Sequence, residues 1–597
     1  GKDDGKMGLE KCQTPMYSGT ICNRPIVAGD KCICHLDDPT KDLNAFQHEV
    51  TLELRKDGPV SDLTGFVFPV GIIIRPRTPK PPVVFDRARF LGPIDFNKAD
   101  FPRHVSFEET HFLGKACFEE CSFAQGVVFN NAIFEAEARF RKVKSNGPVN
   151  FFKCSFSGAV DYSFVEFNSD VRFHCVHFDE GVGFQKSKIG IDGSVFIIEG
   201  GQWKKSIDFS DTTFRATLQI KDATFTGPID YKDTNFEGEV SIRGGGFGGG
   251  LSCTNATINK GMNISTTVSM NADFTDLLIQ GHVYFVGTQF RCPVSFARCQ
   301  VRSGGKLVLD GSGISKRVFL EQADFSFCGL DDSEALEFRH VDLSLTRLLG
   351  TDLTKVRFDS PDWPTRTDIV QRSLRKIASA KWRGEYGIIH GRTCIYDEIA
   401  LSEKDRNVSN DEINPSSRIK VLDMLAEAYR QLQMNYDSRY RYQEASGFYI
   451  GEQEMKRKMK GGIWQFLSMR FLYKLFSLYG QRWLRSFMWL LFVLFLTPAV
   501  LLNSGVWLDT PDCHQDGGCQ VKYELCLTEG VPLPATADYW EAVCLNLSLV
   551  SFSRSDMDDA LRLGWQRALI AIERLLALIL ASFVVVALRR QHKRKSF

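Results

Sequence analysis

A large residue, nearly always phenylalanine, returns at alternating steps of five and six along one long stretch of this chain. It stands at Phe85, Phe90, Phe96, Phe101, Phe107, Phe112, Phe118, Phe123, Phe129, Phe134 and Phe140, and the rhythm resumes at Phe151, Phe156, Tyr162, Phe167, Phe173, Phe178 and Phe184. A period between five and six fits neither the 3.6-residue repeat of a helix nor the two-residue repeat of a strand. A coil with four short sides does fit. If each side turns one large residue inward, steps of five, six, five and six close a turn of 22 residues. The apolar interior of such a coil is sealed only by the coils above and below it, so stacking is obligatory.

The residue two places before each large one separates the two kinds of step. It is small before Phe90, Phe101, Phe112 and Phe123 (Ala88, Ala99, Thr110, Cys121) and branched before Phe96, Phe107 and Phe129 (Ile94, Val105, Val127). On these residues the stretch 83–358 resembles the pentapeptide-repeat proteins, whose unit sets a small residue two before a central Phe or Leu. The extra residue in every second unit is a departure. The resemblance implies a right-handed quadrilateral β-solenoid and implies no function. Cys117, Cys121, Cys154 and Cys175 then read as reduced, buried core. The rhythm weakens near Lys142–Gly147, Ile197–Gly201 and Gly244–Gly250, where glycine-rich corners suggest bulged loops of the kind that face partners.

The charge balance, 73 basic against 72 acidic side chains, argues against a dedicated nucleic-acid binder and equally against an acidic mimic of DNA. No nucleophile, base and acid constellation, phosphate-cradling loop or cofactor fingerprint stands out, so an enzyme is not expected.

Residues 1–50 place Cys12, Cys22, Cys32 and His35 in the spacing C-x9-C-x9-C-x2-H. Three thiolates and an imidazole complete a closed tetrahedral zinc site, which substitutes for a core that so few apolar residues cannot build. Structural zinc is the reading, and it requires a reducing compartment. A disulfide pair with Cys34 as spare thiol is the alternative. Residues 51–82 read as a strand-like segment, with runs at Val50–Leu54 and Gly65–Ile74, followed by a proline cluster from Arg75 that is either a linker or a cap leading into the first coil.

After Asp362 the period becomes helical. Residues 366–460 form a helical adaptor, with Ile369–Trp382 and Ile419–Leu432 as helices, a polar loop over 403–416, and a run from Tyr429 to Tyr449 similar to a tetratricopeptide repeat. Residues 461–485 mix Trp, Phe and Leu with Arg470, Lys474, Arg482 and Arg485, the composition of an amphipathic helix on a membrane surface. Ser486–Leu508 is a run of 23 residues without a charge, long enough to span a bilayer, and 568–588 is a second candidate span. Basic residues before the first span and in the tail 589–597 put both termini in the cytosol of a multi-pass protein of the inner or plasma membrane.

The loop 509–567 would then lie outside, where a disulfide among Cys513, Cys519 and Cys526 is expected. Its apolar run from Tyr539 is too short to span and suggests a re-entrant helix. Span, half-span and span is similar in layout to the tetrameric pore-loop cation channels, though Leu549-Val-Ser-Phe-Ser-Arg-Ser-Asp is not a potassium filter. Ser551, Ser553, Ser555 and Asp556 would form the outer mouth. Glu573 and Arg574 would either face the pore or a neighbouring subunit, or snorkel to the interface. The function expected is an oligomeric, cation-permeable channel, taken as a tetramer, gated or scaffolded by a cytosolic solenoid that binds a protein partner. The alternative is a membrane-tethered interaction scaffold without conductance.

Overall fold

The computed structural model describes residues 11–56, 58–72, 81–366, 392–407, 415–460, 468–481, 483–503, 507–513, 519–525, 543 and 564–595. They fall into two compact units, Gly1–Arg366 with Cys394–Asn410, and Thr367–Thr393 with Asp411–Phe597.

The first unit is a β-solenoid of about 13 turns. Its strands are mostly two residues long and pair in parallel with strands one coil away, so Val83 lies beside Val105, then Val127, Val149 and Val171. Three further ladders run alongside, through Phe90–Phe112–Phe134, Ile94–Ala116–Ala138 and Phe101–Phe123–Ser145. Four ladders per turn, each stepping by 22, are what the alternating rhythm demands. The rings register the same spacing. Phe85 stacks on Phe107 at 4.8 Å and 2°, and Phe118 stacks on Phe96 at 5.0 Å and on Phe140 at 4.9 Å. These separations match the distance between neighbouring strands, so backbone hydrogen bonding and ring stacking reinforce each other at every coil.

The corners explain the small residues. At intervals of eleven a non-glycine residue takes the left-handed conformation: Arg87, Lys98, Glu109, Glu120, Asn131, Lys142 and Lys153, with φ between 53° and 60°. The first five close tight turns in which the small residue after them donates its N–H to the carbonyl of the preceding large one, as Ala88 does to Phe85 at 2.9 Å, and Val143 does the same to Phe140 after Lys142. Where the small residue carries a hydroxyl or thiol, that group donates to the carbonyl of a large residue one coil earlier: Thr110 to Phe85 (2.9 Å), Cys121 to Phe96 (3.0 Å), Thr234 to Phe209 (2.8 Å). Cys121 and Cys154 are therefore buried, reduced structural thiols. Cys117 and Cys175 are only partly buried, because one faces outward from a strand and the other occupies a left-handed corner.

The expected irregularities lie elsewhere, with one exception. Lys142–Gly147 keeps perfect register, with Ser145 replacing a phenylalanine and donating to the Gly147 carbonyl at 2.8 Å. The first long coil, in which Val171 pairs with Phe196, absorbs its extra residues near Gly190–Gly193 rather than at Ile197–Gly201. The longest, in which Leu307 pairs with Leu336, bulges at Gly311–Arg317. The exception is Gly244–Gly245, where two left-handed glycines mark a register shift.

The stack begins earlier than the rhythm suggested. Ser61 pairs with Val83 and Val67 with Arg89, so Ser61–Phe68 already belongs to the first coil, and the strand-like run from Gly65 contains the strand Val67–Phe68. Val50–Leu54 is not a strand either. It lies in helix α1, Leu43–Arg55, which Asp42 caps by accepting from the N–H groups of Asn44 and Ala45. Phe46 of α1 packs edge-on against Phe66 and Phe68, and Phe68 stacks on Phe90 at 4.4 Å, so the helix closes the open end of the Phe column.

Helix α2, Tyr396–Asn407, covers the last coils, so Glu403–Asn407 is helical where a loop was expected. Leu348 N–H donates to Asp397 at 2.9 Å, and Arg366 pairs with the buried Glu398 at 2.9 Å. Burial pushes the Asp397 carboxyl up to about 6. Because the folded value lies above the ordinary one, the protonated acid is favoured by folding, and stability is lost as pH rises through about 4 to about 6. Asp397→Asn keeps the acceptor for Leu348 and removes the buried charge. It is expected to stabilise the protein by about 3 kcal/mol above pH 6 and to flatten its thermal stability profile between pH 4 and 6.

One ring column contains its own defect. Tyr162 stacks between Phe140 and Phe184 with no exposed area, and among the described residues no acceptor reaches its hydroxyl. Tyr162→Phe should raise the midpoint of chemical unfolding by about 1 kcal/mol, the reverse of the usual core substitution.

The second unit contains helices α3 (Pro415–Ser438), α4 (Tyr442–Lys458), α5 (Met469–Ser477), α6 (Trp483–Asn503) and α7 (Gly564–Lys595), with a hairpin of Trp507–Cys513 and Cys519–Leu525. Helices α3 and α4 pack as a pair, as expected of Ile419–Leu432. Gly451 sits under the Tyr429 ring, where a Cβ would come within 2.6 Å. The expected helix at Ile369–Trp382 lies outside the described residues.

Candidate metal centre and membrane helices

The cap chain folds back on itself through two exchanges. Cys12 donates its N–H to Arg24 while Asn23 donates to Cys12, and Cys22 donates to Thr14. A short hairpin of Ile26–Ala28 with Lys31–Cys32 then leads into a turn in which His35 N–H returns to the Cys32 carbonyl. These turns bring the four expected ligands together. The Sγ atoms of Cys12, Cys22 and Cys32 and a ring nitrogen of His35 all lie within 4.8 Å of one another.

The spacing suits zinc. A tetrahedron with Zn–S of about 2.3 Å and Zn–N of about 2.05 Å has S···S edges of about 3.8 Å and S···N edges of about 3.5 Å. Cys22 and Cys32 are 3.7 Å apart, Cys12 lies 3.5 Å from His35 Nδ1, and Cys32 lies 3.2 Å from it. Cys34 is buried but outside the set, and Cys12, Cys22, Cys32 and Cys34 are all free thiols, so no disulfide competes.

The surroundings fit a cation as well. His35 Nε2 is 3.0 Å from the Thr64 carbonyl, which accepts only if that nitrogen carries the proton, leaving the Nδ1 lone pair aimed at the thiols. Arg24 reaches Cys22 Sγ at 3.5 Å and is held by Glu49 (3.0 Å) and Glu53 (2.8 Å). Three thiolates around a divalent cation carry one net negative charge, which Arg24 offsets. The Cys32 thiol beside it, together with burial, pushes Cys22 up, a tendency that a bound cation reverses. The centre is fixed to the first coil at three points: Thr64, the Val67 N–H on the Cys34 carbonyl (2.8 Å), and the buried Lys41 ammonium, which donates to the carbonyls of Leu36 (2.9 Å) and Val67 (2.5 Å).

Residues 107–154 match the family described as pentapeptide repeats (9 copies). The repeat is a pentapeptide repeat. No curated protein and no solved structure matches the chain. The matched residues cover the most regular coils of the pentapeptide-repeat solenoid, and neither the metal centre nor the C-terminal helices lie within them.

In the second unit, Ala571–Arg589 of α7 is long and apolar enough to cross a membrane, and only 22% of it is buried. Ile572, Leu575, Leu578 and Val585 are all more than half exposed, while Ala577, Leu580 and Ala587 are buried. Helix α7 starts before the expected 568 and runs on to Lys595, so the basic tail is its last turns. Among the described residues this is the one helix that meets that length, and the first expected span is not matched by a second. Helix α6 starts at Trp483 and ends at Asn503, its apolar part is Trp483–Pro498, and Trp507 and Leu508 belong to the hairpin. Of the interfacial helix expected over 461–485, residues 461–467 and 482 lie outside the described residues; within 468–481 the chain forms α5 and then a left-handed turn, because Leu478, Tyr479 and Gly480 all have positive φ.

Glu573 is buried, at 3% exposure, on the apolar helix. Ser551, Ser553, Ser555, Asp556 and Cys526, and the re-entrant helix apart from the buried Val543, lie outside the described residues. The hairpin register sets Cys513 opposite Cys519. No period announced that pairing, although two cysteines flanking a Gly-Gly pair are a readable sign of a hairpin.

Proposed function

We propose that this is a membrane-anchored interaction protein. A right-handed, four-sided pentapeptide-repeat solenoid, closed at its first coil by structural zinc on Cys12, Cys22, Cys32 and His35, is held in the cytosol by α6 and α7 as two spans of the inner or plasma membrane. The observation that carries the reading is the outward face of the helix pair. Phe487, Met488, Phe492, Ile572, Leu575 and Val585 stand exposed along helices that water would not tolerate in that form, whereas lipid would. The basic end of α7 favours the cytosolic side for both termini. Full-length protein should stay with membranes through alkaline extraction; its release in soluble form would overturn the reading.

Glu573 favours a second reading, a cation path in a homo-oligomer, taken as a tetramer. An acid buried at that depth on a spanning helix either lines water or meets a partner, and two helices per chain cannot enclose a conduit alone. Ser551, Ser553, Ser555, Asp556 and Arg574 would complete that path. Current across planar bilayers, lost in Glu573→Gln, supports it; a silent, monodisperse monomer refutes it. Neither reading involves catalysis or nucleic acid.

With the hairpin outside, Cys513 and Cys519 form a disulfide, since directly opposed antiparallel residues have Cα atoms about 4.5–5.5 Å apart, within disulfide range. Non-reducing peptide mapping of protein from intact cells should find this link, and Cys519→Ser should leave Cys513 open to alkylation.

A further inference from the structure

Between α5 and α6 the chain makes an unusual elbow. Leu478, Tyr479 and Gly480 are left-handed in succession, with φ of 49°, 60° and 73°. Glycine takes that conformation freely, but two side-chain-bearing residues in a row do so only when their surroundings impose it. The backbone bonds of the elbow are local: Leu478 N–H to the Lys474 carbonyl (3.0 Å), Tyr479 N–H to that of Tyr473 (3.2 Å), and Gly480 N–H to Ser477 Oγ (3.0 Å). They would also form if glycine stood at 478, so they do not account for the strain being tolerated.

The imposing contact comes from α4. Tyr479 is wholly buried and donates its hydroxyl to Glu454 Oε1 at 2.6 Å. Glu454, itself 6% exposed, also receives Arg457 at 3.1 Å and Lys474 of α5 at 3.2 Å. Burial alone would raise this carboxyl, but the charges of Lys474 and Arg457 hold it below its ordinary value, so the phenol donates to a carboxylate. On its other side the Tyr479 ring meets Tyr473 edge-on at 5.9 Å, and Tyr473 packs on Phe583 of α7 at 5.0 Å. Ser486 in the first turn of α6 ties back to the Phe476 carbonyl at 3.1 Å.

We propose that the Tyr479–Glu454 contact is a latch: it holds the strained elbow left-handed, so that α4 sets the direction in which α6 departs. Glu454 and Tyr479 are positioning residues. The latch deepens the membrane reading, because α4 is the helical adaptor and α6 the first span, but it is testable without a membrane.

The test is a mutant cycle read by hydrogen exchange at the 478–481 amides of detergent-solubilised full-length protein. Tyr479→Phe should speed exchange about tenfold, the worth of a lost charge-assisted hydrogen bond. With Leu478→Gly already present, which relieves the strain the latch opposes, the same change should have little effect. Glu454→Gln, which keeps an acceptor, should fall between. An equal acceleration in both backgrounds would mean that Tyr479 merely packs, and no acceleration would mean that the elbow needs no latch; either overturns the proposal. Because the readout is local, it stands or falls separately from membrane insertion.

Discussion

Chelation of the full-length protein at neutral pH is expected to unfold Cys12–Arg55 together with the first coil, while coils beyond Phe107 remain folded. The cap has little apolar core of its own beyond Phe46 and Val50, so the binding energy of the proposed zinc, of order 10 kcal/mol for a structural site, is its folding energy. The loss spreads into the first coil because His35, Cys34 and Lys41 hold Thr64 and Val67 by hydrogen bonds. It stops there because each later coil is sealed by two neighbours. Amide exchange mapped by mass spectrometry should show protection lost over 12–68 and retained over 107–358, with one zinc released per chain. Cys32→Ser should reproduce the pattern without chelator. Uniform protection after complete metal removal would show that the cap folds on packing alone.

Phe118→Ala should cost about 4–5 kcal/mol, read as the shift in the urea midpoint of the solenoid. The ring is fully buried, stacks on Phe96 and Phe140, and meets Phe107 and Phe129 edge-on at 5.5 and 5.6 Å. Truncation therefore removes these four ring contacts and a fifth, edge-on to Phe112 at 6.0 Å, and leaves a cavity in the middle of a column that cannot collapse without breaking backbone register. Phe164→Ala is the control. Phe164 occupies a left-handed corner and is 41% exposed, so its removal should change stability by less than about 0.5 kcal/mol.

The contrast between Phe118 and Phe164 marks how far the sequence can be read. A column of large residues at fixed spacing is legible because each inward position must match the one a coil away. The four-ladder plan, the small corner residues and the Cys12, Cys22, Cys32 and His35 cluster all follow from spacing alone. The first coil was missed because Ser61–Phe68 lacks the small-residue signature, and its pairing is enforced by the cap rather than by its own rhythm. The insertions were misplaced because glycine marks corners whether or not residues are added there. The α5–α6 elbow left no trace in composition, since Leu478 and Tyr479 are poor residues for left-handed backbone and the Tyr479–Glu454 contact is tertiary.

The sidedness of the chain is the most direct test. A membrane-impermeant maleimide applied to intact cells should label a Lys522→Cys variant above the level of the unsubstituted protein, because the proposed topology puts the hairpin outside. Labelling of Lys232→Cys, on an exposed corner of the solenoid, should rise above the unsubstituted level only after permeabilisation. Labelling of Lys232→Cys above the unsubstituted level in intact cells, or of neither variant above it until the membrane is opened, would contradict a cytosolic solenoid anchored by two spans.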